Sequence, residues 1–255
     1  MKRCARRWPI EPFPLRKKGD SVSRSDLGAG IILPVHKPAG MTSFSVVSRL
    51  RRWSGVKKIG HCGTLDPAAS GLLILLTAQA TREQSHFMGL KKEYLARILL
   101  GIETDTWDRD GRIVAERPVS YIGRGDLEKL LCERFQGELD QNPPAYSAIK
   151  QEGIPNYRRA RRGEAVPTKA RRVTVLEIEV TDFSPPDIGL RLVCSSGFYV
   201  RSLAHDIGES LGCGAMLNGL IRTRIGDYRL DDAWSLEELE KILTTRELSG
   251  ATCPN

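Results

Sequence analysis

The amino-acid sequence predicts an α+β fold, because strand-like and helix-like segments are mixed along it without the strict alternation of a parallel-sheet protein. Two strand signatures carry this reading. Leu72 to Thr77 is an unbroken apolar run of strand length, and in Thr174 to Val180 the residues Leu176, Ile178 and Val180 alternate with Glu177, Glu179 and Thr181, the period of a sheet with one wet face. The helix signature is the spacing of Val46, Val47, Leu50 and Trp53, which places four apolar residues on one helical face.

Residues 1–30 carry Pro9, Pro12 and Pro14, eight Lys/Arg against three acids, and no apolar periodicity. They read as a basic arm, disordered or loosely attached, and the prolines oppose the amphipathic helix of a transit peptide. Ile31-Ile32-Leu33 is a short strand, Pro38-Ala39-Gly40 turns the chain, and Thr42 or Ser43 caps a helix that runs to Trp53 and stops at Gly55. Its outward Arg49, Arg51 and Arg52 form a basic strip with Lys57 and Lys58.

Tyr94 to Leu100 is a further strand. Asp126 to Phe135 is an amphipathic helix ended by Gly137, and Arg201 to Leu211 is another, stopped by Gly212. Ser235-Leu236-Glu237-Glu238 has the capping-box pattern of a terminal helix, within an acidic region after Leu230. No fixed-period repeat and no low-complexity segment interrupts the chain.

At 255 residues and 40% hydrophobic content the chain can bury a substantial core. No apolar run approaches the roughly 20 residues of a membrane span, so a soluble protein is expected. The net charge of +8 is concentrated: between Tyr157 and Arg172, seven basic residues face one acid, Glu164. Arg158, Arg159, Arg161 and Arg162, with Lys169, Arg171 and Arg172, form a stripe of the kind that binds a polyphosphate backbone through counterion release.

Six cysteines are scattered with no Cys-x-x-Cys pair, and none of the four histidines pairs at ligand spacing. No metal and no disulfide framework is expected, which suits a reducing cytoplasm. Cys62 has no histidine partner visible in sequence, so a thiol nucleophile is not expected.

The segment Gly60-His61-Cys62-Gly63-Thr64-Leu65-Asp66-Pro67-Ala68-Ala69-Ser70-Gly71 sets one carboxylate on a glycine-punctuated loop before the apolar run at Leu72. Alone, Asp-Pro is a common turn dipeptide. With it stand His36-Lys37-Pro38-Ala39-Gly40-Met41-Thr42-Ser43, Lys92-Glu93-Tyr94, Thr104-Asp105-Thr106-Trp107-Asp108 and Pro143-Pro144-Ala145-Tyr146-Ser147-Ala148-Ile149-Lys150. Downstream come Cys194-Ser195-Ser196-Gly197-Phe198-Tyr199-Val200-Arg201 and Leu211-Gly212-Cys213-Gly214-Ala215. In this order and spacing the motifs, from about Ile31 to about Asp227, resemble the TruB family of RNA pseudouridine synthases.

The resemblance implies the pseudouridine synthase fold: a long, mixed, mostly antiparallel sheet with flanking helices and a central active-site cleft. It divides the chain into the arm at 1–30, a catalytic domain at 31–230 with an RNA-contacting segment at about 141–172, and a short acidic helix and tail at 231–255. The small C-terminal RNA-binding (PUA-like) domain of many relatives is expected to be absent.

The implied reaction is isomerisation of uridine 55 in the T-arm loop of tRNA, with no cofactor and no metal. Asp66 would act as nucleophile or as a base on the ribose, a choice the resemblance leaves open. Arg201 would pair with it and Tyr94 would stack on the target base. The implied substrate contacts are His61 as a wedge in the RNA, Lys37, Gly63, Thr64, Leu65, Tyr199, and Ile221 as an apolar wall.

Three features depart from the family pattern: His36 stands where an acid is usual, Gly153-Ile154-Pro155-Asn156-Tyr157-Arg158-Arg159 lacks the usual lysine and acid, and the chain is short. The expected partner is tRNA, bound by a cytoplasmic monomer. One rival reading is a tRNA folding factor whose catalysis is dispensable, and another is a guide-directed rRNA synthase. The Tyr146–Lys150 block looks more like the bacterial tRNA enzyme than the guide-dependent one.

Overall fold

Whether a strand is buried on one face or two decides where it lies in this protein. The computed structural model describes residues 13–146, 150–151, 154–156, 159, 162, 164 and 169–245. Its strands are β1 (Ile32–Lys37), β2 (Ile59–His61), β3 (Ser70–Thr77), β4 (Lys92–Leu100), β5 (Ile102–Thr104), β6 (Ile113–Glu116), β7 (Gly137–Gln141), β8 (Lys150–Gln151), β9 (Ile154–Pro155), β10 (Arg171–Ser184), β11 (Asp187–Cys194), β12 (Ala215–Ile225) and β13 (Tyr228–Arg229). Its helices are α1 (Arg24–Ala29), α2 (Ser43–Ser54), α3 (Gln84–Gly89), α4 (Arg124–Phe135), α5 (Val200–Leu211) and α6 (Leu236–Thr244).

One sheet runs in the order β1-β3-β12-β4-β11-β10-β7, with β2 added to β3 and β13 to β12. Its pairings are antiparallel except β12 with β3, which run parallel through Ile221↔Ser70 and Arg222↔Gly71. This is the mixed, mostly antiparallel sheet expected of an α+β protein. The parallel contact matters for function, because it carries Arg222 to the point where the Asp66 loop enters β3.

Strand β3 reads as a continuous apolar run because both its faces are covered. Leu73 and Leu75 pack with Leu33 and Val35 against α2 and α6, while Leu72, Ile74 and Leu76 face Ala80, Phe87 and Ile225. Strand β4 instead alternates: Lys92, Tyr94, Ala96, Ile98 and Leu100 are buried, whereas Leu95 and Arg97 are exposed. Helices α4 and α5 cover the buried face, through Leu127 and Leu131 of α4 and Leu203 and Ile207 of α5.

The helix signals act as read. Thr42 caps α2 by accepting from the Ser45 N–H, and Gly55 stops it at φ 77°. Ser235 and Glu238 form the capping box of α6. Helix α5 ends on Gly212 in the left-handed region, and Gly208 lets it approach β12 so closely that a Cβ there would lie 2.1 Å from the Ala215 nitrogen.

Two sequence expectations need correction. In β10 a register shift between Val175 and Glu177 breaks the simple alternation, so Leu176 turns outward and is 48% exposed, as an extra residue at a bulge does. The arm expected over 1–30 is also too long. Residues 1–12 lie outside the described residues, but from Phe13 the chain packs: Leu15 bridges to Ile32, Ser23 caps α1, and Val22 and Leu27 are buried. The prolines hid a segment whose apolar residues are few but fully used.

Candidate active site

The loop between β2 and β3 is held from below by two buried cations and one hydroxyl. Ser43, at the start of α2, accepts the Leu65 N–H at 2.9 Å and donates to the Leu65 carbonyl at 3.1 Å. Lys37 Nζ donates to the carbonyls of Ala69 (2.6 Å), Met41 (2.7 Å), Pro38 (3.0 Å) and Pro67 (3.4 Å). Arg222, 1% exposed, donates from Nε to the Leu72 carbonyl at 2.8 Å and from Nη2 to the Gly63 carbonyl at 3.1 Å. Buried carbonyls left by a tight loop need such partners.

On that support stands Asp66, its side chain 40% exposed, with Oδ2 3.0 Å from Arg201 Nε. The two meet as a charge contact, since the Nε–H is not aligned on the oxygen as a hydrogen bond requires. Arg201 is 5% exposed and held from elsewhere. Its Nη1 donates to the Thr106 carbonyl (3.2 Å) and lies 3.5 Å from Asp108 Oδ2, and its Nη2 donates to the Tyr146 carbonyl (2.9 Å).

Asp108 is buried, which pushes its pKa up. Hydrogen bonds from the Thr106 hydroxyl and the Asp110 N–H, and the Arg201 charge, oppose the shift.

Above this pair opens a cavity of about 450 Å³, lined by Gly63, Thr64, Leu65 and Asp66 of the loop, Lys92 and Tyr94 of β4, Tyr199 and Arg201 around the start of α5, Leu220 and Arg222 of β12, and Arg171 and Met88. Tyr94 is 8% exposed; burial raises the pKa of its phenol, opposed by the positive charge of the Arg222 guanidinium. Lys92 Nζ donates to the carbonyls of Met88 (2.5 Å) and Leu90 (2.6 Å) at the end of α3, and burial brings its pKa down to about 8. One carboxylate thus faces a cavity with four basic side chains in its wall, an arrangement suited to a substrate carrying phosphates.

Folding therefore brings together Asp66, Arg201, Tyr94, Gly63, Thr64, Leu65, Tyr199 and Arg171, which lie up to 138 residues apart in the chain. His61 ends β2, half-buried, outside the cavity lining; burial and the Arg222 charge lower its pKa, favouring a neutral ring. Of the basic stripe, Arg159 is half-buried, Arg162 lies 3.7 Å from Glu164, Lys169 is exposed, and Arg172 pairs with Glu138 and Asp140 at 3.3 Å. Arg158 and Arg161 lie outside the described residues.

Two expected substrate contacts are corrected. Lys37 is fully buried and supports the loop from behind. Burial brings its pKa down to about 8, partly offset by Asp66. Ile221 pairs with Leu95 on the far side of the sheet, where both are 39% exposed. The apolar wall is its neighbour Leu220, because a shift of one residue in a strand exchanges the faces.

Sequence reading missed Arg222, Lys92, Asp108 and Leu220. The signals were present: Lys92 and Asp108 sit inside recognised motifs, and Lys92 has the same strand parity as Tyr94. Cys62 is fully buried and its thiol is pushed up to about 12, which leaves it inert. Among the described residues, no group of three or more His, Cys, Asp or Glu is placed to hold a metal ion.

Residues 51–200 match the model of the TruB family pseudouridylate synthase (N terminal domain), and residues 201–251 match that of the tRNA pseudouridylate synthase B C-terminal domain. The chain is 44% identical over 225 residues to the tRNA pseudouridine synthase B of Phocaeicola vulgatus, covering 86% of this chain and 95% of the relative. It is 47% identical to that of Azoarcus sp. over 82% of this chain and 69% of the relative.

Among solved structures it is similar to a chain of a Cbf5-Nop10-Gar1 complex, with a TM-score of 0.67 at 28% identity, covering 92% of this chain and 59% of that one. It is also similar to a chain of an H/ACA RNP bound to a substrate RNA containing 2′-deoxyuridine, with a TM-score of 0.62 at 27% identity, covering 82% and 52%. This chain spans little more than half the length of those two. A sheet, a loop carboxylate and a match of this extent give one conclusion: the chain belongs to the TruB family of pseudouridylate synthases.

Proposed function

We propose that this protein is a tRNA pseudouridine synthase that converts uridine 55 of the T-arm loop into pseudouridine. The observation that carries the reading is the Asp66–Arg201 contact at 3.0 Å at the base of a cavity walled by Tyr94, in a chain of this family. The reaction breaks the bond from ribose C1′ to N1 of uracil, turns the base, and joins C1′ to C5. A proton leaves C5 and one is gained at N1, so atoms and electrons balance within the substrate.

Asp66 is the reacting group, as nucleophile or as base toward the ribose, and the guanidinium 3.0 Å from its Oδ2 holds the carboxyl in place at the base of the cavity. Tyr94 stacks on the uracil, Leu220 packs against its edge, and Arg171 with Lys92 attracts the flanking phosphates. A uridine within a folded loop has to leave its stack, at a few kcal/mol, and His61 beside the cavity fills the gap it leaves. The substrate places the enzyme in the cytoplasm, where it acts as a monomer without cofactor.

The test is product analysis. An unmodified tRNA transcript is incubated with the purified chain and pseudouridine is mapped at single-nucleotide resolution. Pseudouridine at position 55 alone supports the proposal, and faster tRNA folding with no pseudouridine anywhere would replace it by the folding-factor reading.

A further inference from the structure

Arg201 is oriented by a loop whose middle residue sits in a conformation that bulky side chains rarely adopt. Trp107 has φ +61°, the left-handed region that normally favours glycine. Its neighbours on both sides hold Arg201: the Thr106 carbonyl accepts from Nη1 at 3.2 Å, and Asp108 Oδ2 lies 3.5 Å from the same nitrogen. The reversal of the chain at Trp107 is what turns a carbonyl before it and a carboxylate after it toward one guanidinium.

What offsets the strain is a ring stack. The Trp107 indole lies on the His205 imidazole with centroids 4.3 Å apart and planes 8° from parallel. His205 and Arg201 are four residues apart on α5, so they share a helical face. The stack therefore ties the loop to the helix that carries its ligand. Glu103, paired with Arg117 at 2.7 Å, lies 3.6 Å from His205 Nδ1.

The loop is tied to the sheet as well, by the Leu217 N–H on the Trp107 carbonyl at 3.0 Å. Neither ring belongs to a hydrophobic core cluster, and both are only half-buried. Core packing does not account for a tryptophan held at this φ.

We infer that the Trp107–His205 stack is a positioning clamp that sets the guanidinium of Arg201 against Asp66. The inference rests on the proposed isomerisation for its kinetic consequence, but the clamp itself is a statement about geometry. Trp107 and His205 act through Arg201 and are positioning residues, not catalytic ones.

Trp107→Gly is the decisive variant, since glycine takes φ +61° without strain and only the ring is lost. Trp107→Phe and His205→Phe keep an aromatic face. The expected result for Trp107→Gly is a single-turnover rate on T-arm RNA lower by roughly 10- to 100-fold, the scale of a misplacement near 1 Å, with RNA affinity unchanged. The two phenylalanine variants should stay near the wild-type rate.

A wild-type rate for Trp107→Gly, or a loss of RNA affinity in step with the rate, would overturn the clamp. A crystal structure of Trp107→Gly supplies a readout independent of activity. Arg201 displaced from Asp66 supports the inference, and Arg201 unmoved refutes it even if the chain proves to be no isomerase.

Discussion

Ser43 Oγ is bonded to both backbone groups of Leu65, accepting the N–H at 2.9 Å and donating to the carbonyl at 3.1 Å. The first turn of α2 is thereby fastened to the residue that precedes Asp66. A buried N–H left without its acceptor costs about 1–3 kcal/mol, and here that cost falls on the loop. We expect Ser43→Ala to lower the rate of pseudouridine formation with a smaller loss of global stability, seen by comparing single-turnover rates with urea denaturation. A large loss of stability with an unchanged rate would show that Ser43 serves the core alone.

Gly71 is where the loop passes into β3. It has φ +117°, and a Cβ there would lie 2.4 Å from the Arg222 carbonyl oxygen and 2.5 Å from its nitrogen. These are backbone atoms of the parallel pairing and cannot rotate away. Gly71→Ala should destabilise the fold by more than the ~1–3 kcal/mol of ordinary overpacking, whereas Gly60→Ala, with nothing within 4 Å of the new Cβ, should not. Thermal melting of the pair decides it: equal melting temperatures would mean that β12 and β3 do not meet as described.

The thiols give a pH-dependent prediction. Burial pushes Cys62 and Cys194 up to about 12, so at pH 8 only about one part in 10⁴ of either is thiolate, the reactive form. Cys132 is exposed. Iodoacetamide at pH 8 should label Cys132 in the folded protein and reach Cys62 and Cys194 only on unfolding, as read by peptide mass spectrometry. Rapid labelling of Cys62 in the native state would contradict its full burial at the start of the loop.

Much of the architecture was legible because the local signals agreed with the global fold. The apolar run at Leu72 marks a doubly covered strand, and Thr42, Gly55, Ser235 and Gly212 act at the helix ends where their chemistry places them. The convergence of Asp66, Tyr94 and Arg201 was legible only through the motifs, since no periodicity links positions 66, 94 and 201.

What stayed hidden was parity and burial. A single register shift turned Leu176 outward, and one residue separates Leu220 in the cavity from Ile221 behind the sheet. Lys37 reads as a surface lysine in sequence, and only the folded chain supplies the four carbonyls that hold it inside. Val22 and Leu27 likewise look isolated among charges until α1 is seen packed on the core.

The most direct test of the account is the release of tritium from tRNA labelled at C5 of uridine, measured under single turnover for the wild type and for Asp66→Asn. Asp66→Asn should lose at least the roughly 10² to 10⁴ in rate attributed to a positioned acid–base group, while binding tRNA as tightly as the wild type. Tritium release by Asp66→Asn at a near wild-type rate would contradict it.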